Sequence, residues 1–172
     1  LFDLISNLGF TVYRGSENDV LDRYYQASLM YKPRGIVRIT GDCPLIDPRV
    51  VDKVIDFFLH NNYDYVSNTN PPTYPDGLDT EIFSFSALDK AHSESVFKSE
   101  REHVVPYIIN NANIFKIGNV VNTKYNLSNM RWTVDTYKDL QLIKKIFEKL
   151  YNSNDIFYME DIVDLIINNP KL

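Results

Sequence analysis

Two aspartates, Asp42 and Asp135, each follow a short run rich in β-branched residues and stand just ahead of a helical pattern. In an open α/β sheet, ligands bind beyond the carboxyl ends of the strands. If residues 36–40 and 130–134 are neighbouring strands, the two carboxylates converge on one hard cation. Mg²⁺ suits such a pair, because it takes a few carboxylates together with phosphate oxygens and water. Plain helix capping explains the same two residues equally well, the more so for Asp135, since Thr136 starts a helix at once. Arg14, Arg23, Arg38 and Arg131 are cations suited to neutralising a phosphate or a carboxylate near this edge. Arg38 alternates with Val37 and Ile39 in a strand pattern and is expected to pair with a carboxylate on a neighbouring strand. Arg131, beside Trp132, is expected to be a stacked structural cation.

A second cluster lies in Tyr74-Pro75-Asp76-Gly77-Leu78-Asp79-Thr80-Glu81, which sets carboxylates and a turn glycine ahead of a strand. Such a loop can grip hydroxyl groups, although Asp76-Gly77 alone is an ordinary turn signal. Arg101-Glu102-His103 puts a cation, a carboxylate and an imidazole side by side. Glu102 reads as the capping-box partner of Ser99, which leaves Arg101 and His103 either to a substrate or to an idle surface. Nucleophilic catalysis has little support, because Cys43 has no histidine close by and no Gly-x-Ser-x-Gly occurs. One cysteine and three scattered histidines do not make a zinc ligand set. The glycine-rich phosphate loops of dinucleotide-binding and P-loop proteins are absent.

The elements that must position these residues are legible in the patterning. The opening nine residues read as the end of a helix stopped by Gly9, and 10–13 as a short β-like run. Ser16 and Asp19 have capping-box spacing ahead of a stripe of Val20, Tyr24, Ala27 and Tyr31, which Pro33 and Gly35 end. Residues 36–40 form a strand. Asp47 then caps a helix with Pro48 at its first position and Val51, Val54, Ile55 and Phe58 inward. Residues 63–67 are a strand, 68–77 a surface loop long enough to be functional, and 80–83 another strand. Ser86 with Asp89 caps one helix, and Ser99 with Glu102 caps a second that runs towards Asn110. Residues 115–121 and 130–134 are β-like. Leu140, Ile143, Phe147 and Leu150 mark the clearest helix, and a last helix covers 160–167. Strands alternating with amphipathic helices predict an α/β sandwich around a largely parallel sheet.

Composition sets the outer bounds. The chain has 172 residues, with 18 Lys and Arg against 23 Asp and Glu, a net charge of −5, and 44% hydrophobic residues. That is material for one folded domain and excludes intrinsic disorder. The acidic balance and the lack of a basic stripe argue against a nucleic-acid partner. No apolar run approaches the roughly 18 residues of a bilayer span, and residues 1–6 lack a basic leader. The lone cysteine fits a reducing compartment, with the cytoplasm as default.

The segments 14–24 (Arg-Gly-Ser-Glu-Asn-Asp-Val-Leu-Asp-Arg-Tyr) and 38–48 (Arg-Ile-Thr-Gly-Asp-Cys-Pro-Leu-Ile-Asp-Pro) resemble a cytidylyltransferase family, as do 74–81, 99–104 and 131–136. The family is that of spore coat polysaccharide biosynthesis protein F, related to acylneuraminate and Kdo cytidylyltransferases. The resemblance implies a Rossmann-like nucleotidyltransferase sandwich with a mostly parallel, mixed sheet. It implies transfer of CMP from CTP to a sugar or sugar acid with release of pyrophosphate, in surface polysaccharide biosynthesis. It places Mg²⁺ on Asp42 and Asp135, the nucleotide near Arg14, Ser16 and Arg23, and the acceptor near Tyr74, Asp76, Asp79, Arg101 and His103. Similar enzymes are often homodimers. Family members begin with a strand and a triphosphate-gripping loop of the type Arg-x-x-Ser-x-Arg-Leu-Pro-x-Lys, which this sequence lacks. The expectation is therefore one domain over 1–172 without its N-terminal βα portion, active when full length and weak by itself. A metal-dependent glycosyltransferase of related fold and a non-catalytic nucleotide-binding fragment are the alternatives.

Overall fold

The computed structural model describes residues 1–152 and 155–170. In chain order its elements are α1 (Phe2–Asn7), α2 (Val20–Tyr31), β1 (Gly35–Arg38), α3 (Pro48–His60), β2 (Tyr65–Ser67), β3 (Glu81–Ser84), α4 (Phe85–Glu94), α5 (Lys98–His103), α6 (Pro106–Asn110), β4 (Ile117–Asn119), α7 (Tyr137–Leu150) and α8 (Met159–Asn168). The strands form one sheet in the order β1-β3-β2-β4. Parallel pairing of β2 with β4 follows from its register. Asp64 N–H donates to the Lys116 carbonyl and Val120 N–H to that of Ser67, each at 2.8 Å, so both chains advance together. Beside β2, β3 runs the other way: Ser84 N–H reaches the Asp64 carbonyl at 2.9 Å, while Thr80 N–H meets the Asn68 side-chain oxygen at 2.9 Å. The sheet is mixed, and the antiparallel strand lies inside it rather than at an edge. Among the described residues no helix is long and apolar enough to cross a membrane.

The chain divides into two compact units, described in turn. The first comprises Leu1–Ile36, Asn62–Tyr65 and Ile82–Gly118. Its core joins Leu21, Tyr65, Phe83, Leu88, Val104 and Ile108, all 0–1% exposed, with α2 lying on α4 and α5. Several helix starts differ from the sequence pattern. Asp19 is the cap of α2, accepting from Asp22 N–H, and Ser16 makes a separate turn by accepting from Asp19 N–H. Ser84 instead of Ser86 caps α4. In α5 the reciprocal carboxylate is Glu100, whose Oε2 takes Val96 and Phe97 N–H, so Glu102 has no capping role. The helix expected to run on to Asn110 is broken at Val104, which adopts a positive φ of 73°, and Pro106 starts α6. Residues 10–13 form no strand.

The second unit comprises Val37–Asn61, Val66–Glu81 and the chain from Asn119 onward. Its core gathers Val50, Leu78, Trp132, Ile146, Met159 and Ile162. The expected start of α3 holds: Asp47 accepts from Arg49 N–H at 2.8 Å with Pro48 at the first helical position. Asp47 is 2% exposed, and its other oxygen accepts from Met159 N–H at 2.9 Å, at the start of α8. Burial pushes this carboxyl up, but the Arg49 side chain and the two N–H groups outweigh burial and hold it below the usual carboxylate range. The pattern of α7 is shifted by one contact, with Ile143 and Ile146 buried and Leu140 36% exposed. Residues 130–134 are not a strand. Their ladder is a single parallel bridge between Asp76 and Arg131, because Trp132 and Thr133 turn into the interior.

Candidate active site

The chemistry-bearing residues of the second unit come together through backbone bonds. β1 ends at Arg38, and the chain turns through 40–46, where Cys43 N–H donates to the Thr40 carbonyl and Ile46 N–H to that of Cys43. Within this turn the Asp42 carbonyl accepts from Val134 N–H at 2.9 Å, which brings the main chain of Asp42 one residue from Asp135. The loop before β3 is tied to the same segment. Asp76 N–H donates to the Met130 carbonyl at 3.0 Å and its carbonyl accepts from Trp132 N–H at 2.7 Å. Gly77 makes this approach possible. Its φ is +107°, and a Cβ there would lie 2.9 Å from the Trp132 carbonyl carbon, so an L side chain meets both strain and a clash.

Charge on this rim is mostly negative and partly clasped. Arg131 faces three carboxylates: Nε lies 3.4 Å from Asp76, Nη1 3.1 Å from Asp139, and Nη2 pairs with Asp135. It does not stack on Trp132, which is buried in the core; the expected stacked cation is a carboxylate-bound one. Asp139 is the third helical residue of α7 and completes a capping box with Thr136. The Thr136 N–H and hydroxyl, then the Asp135 N–H, hold it below the usual range. Neither Asp42 nor Asp135 caps a helix, since Asp47 and Thr136 do so. Asp42 is held in its ionised form chiefly by the Thr40 hydroxyl, against burial. The side chain of Asp135 is 58% exposed and has a further contact from the Thr133 hydroxyl at 3.4 Å.

Asp79 behaves differently. Burial first, then the charges of Asp76, Glu81 and Asp42, push its carboxyl up to about 6. It borders a 140 Å³ cavity with Arg38, Thr40, Thr69 and Glu81. Arg38 pairs with Glu81 at 2.5 Å, as its strand position predicts. Tyr74, 4% exposed, lines a larger cavity of 510 Å³ with Phe57, Leu127, Met159 and Val163. Cys43 is buried, with its Sγ 3.2 Å from the Thr40 hydroxyl, and burial pushes its thiol up. That fits an inert thiol rather than a nucleophile.

Among the described residues no group of three or more His, Cys, Asp and Glu is placed to hold a metal ion. What Asp42 and Asp135 offer is hard carboxylate oxygen in small number. This donor set fits an ion such as Mg²⁺ that completes its shell with phosphate and water, and does not fit an all-protein cage.

The remaining sequence-derived candidates lie in the first unit. Arg14 sits over the Phe2 ring at 4.2 Å. Arg23 Nη1 donates to the Ser16 carbonyl at 3.2 Å, and Gly15 packs so closely on the Arg23 side chain that a Cβ would come within 2.9 Å of it. Ser16 and Arg23 therefore share one corner, while the Arg14 side chain packs on Phe2. Arg101 donates to both oxygens of Asp19 and to the His92 carbonyl, which braces the start of α2. His103 is an exposed residue at the end of α5. Sequence reasoning missed the Arg131 clasp. The i,i+4 spacing to Asp135 and the Thr136–Asp139 capping box were readable signals, whereas Asp76 joins only through the fold.

The sequence model of a family described as "Cytidylyltransferase" matches residues 2–166. An uncharacterized protein of Methanocaldococcus jannaschii is 41% identical over 175 aligned residues, taking in 100% of this chain and 69% of that protein. Spore coat polysaccharide biosynthesis protein SpsF of Bacillus subtilis is 30% identical, over 94% of this chain and 67% of that protein. The solved structure of a cytidylyltransferase from Leptospira borgpetersenii serovar Hardjo-bovis superposes with a TM-score of 0.91 at 36% identity, covering 98% of this chain and 70% of that one.

Proposed function

This chain belongs to the cytidylyltransferase family, and from that membership we propose that it transfers CMP from CTP to a hydroxyl of a sugar or sugar acid, releasing pyrophosphate, for surface polysaccharide biosynthesis. The observation that carries the reading is the junction of the Asp42 turn, the Asp135 segment and the Asp76 loop by the three backbone bonds around Val134, Met130 and Trp132. A metal carboxylate pair and an acceptor loop are what an in-line phosphoryl displacement needs, since positioning and charge neutralisation supply most of its catalysis. Asp42 and Asp135 would hold Mg²⁺, which when bound offsets charge on the triphosphate and orients its α-phosphate. Asp76 and Asp79 would orient the acceptor, and Asp79, poised near 6, would take the proton of the attacking hydroxyl. The acceptor oxygen bonds to the α-phosphorus, the bridging bond to the β-phosphate breaks, and the proton leaves to Asp79. Within the first unit, Arg101 serves the frame through Asp19.

The protein incubated with CTP, Mg²⁺ and a panel of sugars and sugar acids should yield pyrophosphate and a CMP-linked product. Asp42→Asn and Asp135→Asn should each lower kcat/KM by about 100-fold or more, the scale of removing one preorganised charge contact. Release of a nucleoside diphosphate with a glycoside would instead mark a glycosyltransferase. CTP binding that needs Asp42 without any pyrophosphate would mark a non-catalytic module.

A further inference from the structure

We infer that Arg131 is a positioning residue that exchanges partners: its guanidinium holds Asp135 until a divalent ion takes that carboxylate, and the released Nη2 edge then donates to a phosphate oxygen of the nucleotide. The inference rests on the reading of Asp42 and Asp135 as the metal carboxylates. Its basis is the unequal anchoring of the three acids that surround Arg131. Asp139 is fixed in the α7 capping box, where Oδ2 accepts from the Asp135 and Thr136 N–H groups and the Thr136 hydroxyl, leaving Oδ1 for Arg131 at 3.1 Å. The Asp76 main chain is fixed by the paired backbone bonds to Met130 and Trp132, and its carboxylate lies 3.4 Å from Arg131 Nε. Asp135 is the most exposed of the three, at 58%, with Arg131 and the Thr133 hydroxyl at 3.4 Å as side-chain contacts, and its neighbour Val134 is bonded to the Asp42 carbonyl. An ion on Asp42 therefore draws on Asp135 first, while Asp76 and Asp139 keep the guanidinium in place.

The freed guanidinium edge has a planar fork geometry suited to phosphate oxygens. Before the exchange, its charge opposes a bare divalent ion at the same carboxylate. After the exchange it favours the ion that arrives with a triphosphate. Arg131 would thus make the site select the metal–nucleotide complex over the free metal, and it would link that choice to the acceptor loop through Asp76.

The test is a pair of titrations on the intact protein by electron paramagnetic resonance, one with Mn²⁺ alone and one with Mn²⁺ and CTP. For Arg131→Met the inference expects opposite shifts. Mn²⁺ alone should bind about tenfold more tightly, the effect of removing a unit charge a few ångströms from a divalent ion in a water-like medium. Mn²⁺ with CTP should bind about tenfold more weakly, the loss of a charge-assisted phosphate contact. Arg131→Lys, which keeps the charge and loses the fork, should match the parent within about twofold for Mn²⁺ alone and fall between parent and Met with CTP. A structural role alone weakens both titrations or moves neither, and either result overturns the inference. If the Met variant does not fold, tighter binding of Mn²⁺ alone by the Lys variant overturns it as well. Loss of Mn²⁺ binding in Asp42→Asn keeps the metal reading intact whatever Arg131 does, whereas unchanged Mn²⁺ binding in that variant sinks the metal reading itself.

Discussion

The half-buried Asp79, proposed above to take a proton, carries a cost to the fold. Its carboxyl is pushed from 3.8 up to about 6, by burial first and then by the neighbouring acids. Between those two values the folded protein binds a proton that the unfolded chain has shed, so stability falls as pH rises through this window. The penalty is complete above about 6 and absent below the unfolded value. Asp79→Asn should therefore raise unfolding stability by about 3 kcal/mol at pH 7.5, with the gain fading as pH approaches 4 in chemical denaturation. The same substitution should suppress turnover, the exchange of stability for activity expected of a group strained for function. The pairing of Arg38 with Glu81 was legible, because alternation in a strand fixes which face a side chain takes. The environment of Asp79 was not, because it depends on Asp42 and Glu81 meeting it in space.

Among the elements, local signals read well and long-range ones did not. Asp47-Pro48 specifies a helix start within two residues, and α3 begins there. The 3.6-residue period locates α7 within a residue or so. Residues 130–134 misled because β-branched residues suit any extended segment, whereas a strand also needs a ladder partner, and Asp76 supplies a single bridge. Capping boxes were displaced by two or three residues at α2, α4 and α5, where several Ser, Asp and Glu residues compete and packing selects among them. What no local rule contains is the second duty of Asp47, which serves the starts of both α3 and α8. Asp47→Ala should cost about 2–4 kcal/mol, since it removes a cap and leaves a buried N–H unmet, measurable as a lower urea midpoint. The depressed pKa of Asp47 contributes stability that is present above about pH 4 and lost as pH falls through its folded value.

For the molecule as a whole, the charge of −5 opposes a triphosphate at long range, so binding of CTP should lean on the divalent ion and on ionic strength. The sequence conveyed the α/β class and the family. It did not convey the two separate cores, each of which collects residues from three stretches of chain. Cys43 turns this architecture into an internal clock. The thiol is buried at the turn that carries Asp42, so iodoacetamide reaches it only during transient opening, and the rate of alkylation counts those openings. Mn²⁺ with CTP should slow carboxamidomethylation by about tenfold or more at ligand well above its dissociation constant, read by intact-mass spectrometry, and Asp42→Asn should abolish that protection. The sole sulfhydryl of the chain would then time the breathing of the Asp42 turn without any label being introduced.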